Sequence, residues 1–169
     1  VFFGAGPDMK IFSDGTSGAD RYRGIISYGH SDNTMRFHTN TARAMTIDSS
    51  GNVGIGTTGY GTWHTANRVL SLGSGSTIRG AVSGGDPYIT ITTNAFHDAS
   101  SWKYIHSDYA SYYEQYNGTH VFAYAPSGTA TNSVSFDIAM KIDASGKVGI
   151  GETSPEYPLQ INGSNLSSG

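Results

Sequence analysis

Along much of this chain, apolar residues recur at every second position in short runs, and Gly, Asp, Asn and Ser separate the runs. Met45 and Ile47 alternate with polar residues and predict one face of a strand. Asp48-Ser49-Ser50-Gly51 follows with turn chemistry, since Asp can bond its own backbone and Gly tolerates positive φ. Val53 and Ile55 return on a second strand, so the stretch predicts a hairpin. Gly54 and Gly56 are expected on the opposite face of that return strand, where glycine lets another backbone come close. The expected neighbour there is a sister chain. The stretch 44–58 recurs as 139–153, with Met140, Ile142, Asp143, Gly146, Val148, Gly149, Ile150 and Gly151 in the same places. Only Thr/Lys, Ser/Ala, Asn/Lys and Thr/Glu differ between the copies. Weaker similarity continues downstream, where Leu70-Ser71-Leu72 parallels Leu159-Gln160-Ile161.

Most other runs also predict strands. Met9 to Phe12 leads into Ser13-Asp14-Gly15, and Ile25–Tyr28 and Met35–His38 flank a hairpin turn at 29–33. Tyr88 to Thr92 follows the turn Gly84-Gly85-Asp86-Pro87. Tyr112–Tyr116 and Thr119–Tyr124 flank Asn117-Gly118, the strongest short-range hairpin signal. Val134, Phe136, Ile138, Met140 and Ile142 alternate strictly, which predicts one long strand feeding the second copy. Trp102, Ile105, Tyr109, Tyr112, Tyr113 and Tyr116 also fit a helical stripe with Asp98 as cap; their aromatic and Ser-rich setting favours strands, with at most one helical turn near Asp108–Ser111. Three modules follow: 1–58, ending in the first copy; 59–153, aromatic-rich and ending in the second; and 154–169, the start of a third or a linker.

Composition narrows the class. Charged residues make up 14% of the chain, against about 25% in ordinary soluble domains, and aromatics reach 12% with 11 Tyr. A disordered chain would show the reverse balance. The polar surface must come from Ser, Thr, Asn and 23 Gly, which suits β-structure rich in turns. Net charge is -3 with no basic run, so no nucleic-acid footprint is visible. No stretch approaches the ~20 apolar residues of a membrane-spanning helix, so membrane insertion is not expected. There is no Cys, so stability is expected from packing or oligomerisation. The ends, Val1-Phe2-Phe3 and Ser167-Ser168-Gly169, read as cuts in something longer.

The element Ile-Asp-x-Ser-Gly-x-Val-Gly-Ile-Gly-x-Thr, with Ser154-Pro155 after its second copy, resembles a repeat of bacteriophage tail fibres, which often end in an endosialidase-type intramolecular chaperone. The stretches 8–15, 23–37, 102–111 and 125–130 resemble further fibre elements, so the resemblance covers most of the chain. The first copy departs from the pattern, because Gly59-Tyr60 stands where Ser-Pro usually follows. The resemblance implies an all-β fold of repeated β-hairpin or β-sandwich-like modules, assembled as an intertwined homotrimeric fibre on a virion. Its implied partners are adjoining tail proteins and a bacterial surface glycan or other host receptor.

The candidate chemistry is sparse. Gly54-Ile55-Gly56-Thr57-Thr58-Gly59 matches a dinucleotide fingerprint, but Gly59-Tyr60-Gly61-Thr62-Trp63 is no helix start. His30-Ser31-Asp32 and His106-Ser107-Asp108 cannot form a relay on a strand, where adjacent side chains point apart. His38 and His120 lack the pairing a metal site needs. Glu114 is the one strand-borne acid of interest, and a glycosidase needs two carboxylates across a cleft. No catalytic residue, cofactor or metal is therefore assigned. The receptor-binding candidates are aromatic: Trp102, Tyr104, Tyr112, Tyr113 and Tyr116, which could equally form a core, and the glycine-flanked loop with Tyr60, Trp63 and His64. The expectation is a non-enzymatic structural and adhesive fibre segment. A polysaccharide-degrading tailspike module and a bacterial extracellular adhesin are the alternatives.

Overall fold

The computed structural model describes residues 8–11, 24–40, 42–57, 67–81, 86–98 and 100–163, with residues 8–11 described by backbone alone. Every regular element among them is a strand: β1 (Asp8–Ile11), β2 (Gly24–Gly29), β3 (Thr34–Thr39), β4 (Ala42–Ile47), β5 (Val53–Ile55), β6 (Asn67–Leu72), β7 (Ser76–Ala81), β8 (Tyr88–Thr93), β9 (Ala95–His97), β10 (Trp102–Tyr104), β11 (Ala110–Tyr116), β12 (Thr119–Ala125), β13 (Asp137–Ile142), β14 (Val148–Ile150) and β15 (Leu159–Ile161). The protein is all-β. It forms two compact units, one of Val1–Gly61 with Arg68–Ser74 and one of Thr62–Asn67 with Gly75–Gly169.

In the first unit, β1 to β5 pair successively as antiparallel neighbours and β6 lies parallel to β5. Directly opposed residues share a face. One face therefore carries two apolar rows, Ile26–Phe37–Met45–Ile55–Leu72 and Tyr28–Met35–Ile47–Val53–Leu70. The opposite face carries Ser27, Arg36, Thr46, Gly54 and Ser71 in register. In the second unit, β7, β8, β11, β12, β13 and β14 are successive antiparallel neighbours and β15 is parallel to β14. Its apolar row runs Ile78–Ile91–Tyr113–Phe122–Met140–Ile150–Ile161 across seven strands. At ~4.8 Å per strand that row extends roughly 29 Å.

The turns form as their residues require. Asp48 accepts the amides of Ser50 and Asn52 at 2.9 and 2.8 Å, and Asp143 accepts those of Ser145 and Lys147 at 2.8 and 2.9 Å. Gly51 and Gly146 take φ of 83° and 81° in those turns. Asn117 and Gly118 both have positive φ in the tight β11–β12 hairpin.

One sequence expectation is corrected, and the glycines show close neighbours within their own chain. The alternation from Val134 to Ile142 is not one strand, because β13 begins at Asp137 and a bulge interrupts its pairing with β12. Phe122 opposes Met140 but Ala123 opposes Ile138, so Ala139 is the extra residue and Ile138 passes to the other face. The same shift lies between Phe37/His38 and β4, at Ala44. The glycines also act within their own chain. Gly149 is buried, and a Cβ built there would lie 2.1 Å from the carbonyl oxygen of Glu152, so its close neighbour is the turn that follows β14. Gly56 and Gly151 lie just beyond their strands with φ of 66° and 64°, and their amides bond the carbonyls of Ala44 and Ala139.

The core of the second unit is small. Ala95, Tyr104, Ala110 and Ala125 form it, with Trp102, Val134 and Phe136 packed against it. Its largest fully buried side chains are otherwise polar: Thr77, Thr90, Thr92 and, in the first unit, Ser71. Thr92 donates to the Ala95 carbonyl at 3.0 Å and shares a hydroxyl–hydroxyl bond with Thr77, while Thr90 donates to Glu114 at 3.2 Å. These bonds are what makes burying the hydroxyls tolerable.

Candidate interaction surface

The two faces of each sheet invert the usual arrangement. Thr, Ser and small residues are buried, while the apolar rows face outward. Ile91 is 46% exposed, Phe122 43%, Ile150 42% and Ile161 58%, all in one row. Ile89 and Leu159 are likewise exposed in the row beside it, which runs Gly80–Ile89–Gln115–His120–Ile142–Val148–Leu159. The first unit shows the same pattern at Met35, Ile55 and Leu72. A contiguous apolar surface of this kind marks an interaction site far more often than scattered exposed residues do.

The aromatic candidates divide between the faces according to their parity on β11. Tyr112, Glu114 and Tyr116 belong to the covered face, and Tyr113 to the open one. Trp102 stacks on Tyr112 with centroids 5.9 Å apart, and Phe136 meets both edge-on at 5.6 and 4.7 Å. The Arg79 guanidinium sits over the Trp102 ring at 4.2 Å and over Tyr88 at 5.2 Å, a cation–π pair in a desolvated setting. Burial lowers the Arg79 pKa from its ordinary value, and burial beside Glu114 raises that of Tyr112. Tyr104 is buried and donates to the Pro126 carbonyl at 2.6 Å. Trp102, Tyr104 and Tyr112 thus pack together over the covered face. Tyr116 lies at the hairpin end, where it donates to Asp86 at 3.0 Å; this bond raises its pKa. Tyr60, Trp63 and His64 lie outside the described residues.

On the open face, Tyr113 is held by a 2.6 Å bond between its hydroxyl and His120 Nδ1, and its ring leans on Phe122 with centroids 4.7 Å apart. Beside them lies a shallow groove of ≈ 390 Å³, with Tyr124 and Phe122 exposed in its wall and Thr93, Ser111 and Ala139 also lining it. Phe122 and Tyr124 were legible as surface residues from alternation alone, since Val121, Ala123 and Ala125 take the buried face.

The remaining candidates are placed as follows. Glu114 lies on the covered face with Thr90 as donor. Asp32 is bound by Thr34 and Arg36 in its turn. Asp108 accepts the Tyr109 amide beside an exposed His106. Among the described residues no group of three His, Asp or Glu side chains is placed to hold a metal, and no helix is long and apolar enough to cross a membrane. In comparisons with known proteins, no family model and no curated protein matches the chain. The fold and surface define an all-β protein that displays outward-facing apolar rows on its sheets.

Proposed function

We propose that this chain is a structural and adhesive segment of a trimeric fibre, of the bacteriophage tail-fibre kind, that gives reach and attaches to a host surface. One observation carries the reading: Ile, Met, Leu and Phe side chains of these rows are exposed in the single chain while Thr and Ser hydroxyls are buried. Copies that bring these rows together remove that apolar surface from water, at about 25 cal/mol for each Å². The number three, the virion setting, the adjoining tail proteins and the glycan receptor come from the tail-fibre resemblance of the repeated element. In this reading the chain performs no catalytic step and needs no cofactor. The test is light scattering after size exclusion over a range of dilution. A stable species at three times the 17.9 kDa chain mass is expected; a folded monomer at every concentration counts against the fibre.

A further inference from the structure

The open face of the second unit is not uniform. Its two apolar rows give way, toward the Thr93 end of β8, to a third row of Thr93, Ser111, Tyr124 and Asp137. The groove lies along this transition, and none of its lining residues is charged. The first unit has the same pairings and the same bulge, yet its open-face residues differ at the groove. Ile26 stands where the second unit has Tyr113, Gly24 where it has Ser111, and Thr39 where it has Tyr124. The frame therefore does not demand Tyr113 or Tyr124, whereas it keeps a phenylalanine at both Phe37 and Phe122. Ala139, the extra residue of the bulge, puts a single methyl group where a longer side chain would fill the groove.

We propose that this groove is a binding site for a neutral carbohydrate, with Tyr124 as the stacking surface and Ser111 and Thr93 as hydroxyl partners. The proposal rests on the adhesive-fibre reading for its biological setting, and its chemistry comes from the lining. Exposed rings offer apolar faces to the C–H side of a pyranose, and Tyr keeps a polar tip for its hydroxyls. The groove's volume lies within the range of small-molecule sites. A charged ligand would find no counter-ion among the lining residues. Tyr113 needs no ordering on binding, because His120 and Phe122 already hold its ring.

The test uses affinity electrophoresis of the full chain in gels containing dextran, mannan, galactan or a β-1,3-glucan, with polygalacturonate as the charged control. Light scattering is run on each protein in parallel. At least one neutral polymer should retard the wild type more than the control does. Tyr124→Ala should weaken that retardation about tenfold, and Tyr124→Phe should keep it within roughly threefold, with mass and melting temperature unchanged in both. Three outcomes overturn the site: no neutral polymer retards the wild type, retardation survives Tyr124→Ala, or Tyr124→Ala lowers the oligomeric mass, which would make the groove an interface between copies. A monomeric wild type that still binds a neutral polymer through Tyr124 overturns the fibre reading and leaves the site standing.

Discussion

Replacing Gly149 by alanine tests whether the repeated glycines serve their own chain or a neighbouring one. The added Cβ would lie 2.1 Å from the Glu152 carbonyl oxygen and 3.0 Å from its carbon. Neither backbone is free to move, since Gly149 is paired with Lys141 on one side and Gln160 on the other. The turn is tied down as well, by Lys141 Nζ on the Thr153 carbonyl at 3.1 Å and by the Ser154 amide on Glu152 Oε1 at 2.9 Å. Relief of about 1 Å must come from β14, which has only three residues. Overpacking at the upper end of about 1–3 kcal/mol, with one sheet bond of about 1 kcal/mol lost, gives roughly 3–4 kcal/mol. For a chain of this size that lowers Tm by about 10 °C. Gly146→Ala is the control: its φ is 81° but a Cβ there meets nothing, so about 1 kcal/mol of backbone strain is expected. Thermal unfolding followed by circular dichroism, repeated after about tenfold dilution, reads both variants. A Gly149→Ala shift no larger than that of Gly146→Ala refutes the own-chain clash. A shift that grows on dilution would place the methyl against another copy instead.

Trp102→Ala removes the ring that stacks on Tyr112 and underlies Arg79; urea unfolding should show a loss of about 3 kcal/mol, and a loss under about 1 kcal/mol would mean that the aromatic cluster is not cooperative. Thr77→Val and Thr92→Val should each destabilise by about 1–2 kcal/mol while the double variant costs less than their sum, because each single change strands a buried hydroxyl; additive losses would dismiss the hydroxyl pair. The Ser100 and Ser101 amides hold the Asp98 carboxyl down to about 2, below its usual 3.8. A depressed folded-state pKa means that its contribution is present above pH 3.8 and disappears as pH falls through about 2. Asp98→Asn should therefore flatten the stability profile between pH 4 and pH 2 relative to wild type, and an unchanged profile would show that the turn does not depend on the charge.

Local chemistry made much of the fold legible. The Asn117-Gly118 hairpin and the Asp-x-x-Gly turns fell where their residues put them, because each depends on neighbours in sequence. The placement of Met45, Ile47, Val53 and Ile55 on one face also followed from alternation. Alternation failed at Ala139, since a bulge adds a residue without changing the polarity pattern and so moves Ile138 across the sheet. At the glycines, a neighbour within the same chain was overlooked. Close approach was the right physics at Gly149, but the approaching backbone is three residues away in the same chain. The aromatic stretch hid its own division, because Tyr112 and Tyr113 are adjacent and only the strand assignment sends one inward and the other out. The strands β7 and β9 went unrecognised, because β7 carries a single large apolar residue, Ile78, and β9 has only three residues.

Burying threonine where most sheets bury valine also changes how the protein responds to temperature. Exposing apolar surface on unfolding raises the heat capacity by about 0.45 cal/K/mol per Å², and exposing polar surface lowers it by about 0.26. Thr77, Thr90 and Thr92 release both kinds on unfolding, and the outward Ile and Phe of the single chain, already about half exposed, release less than fully buried ones would. The unfolding heat capacity per residue should be small, and the curve of stability against temperature correspondingly broad. Such a chain loses little stability on cooling and little on moderate warming, and each added apolar contact between copies would narrow that span while raising its summit.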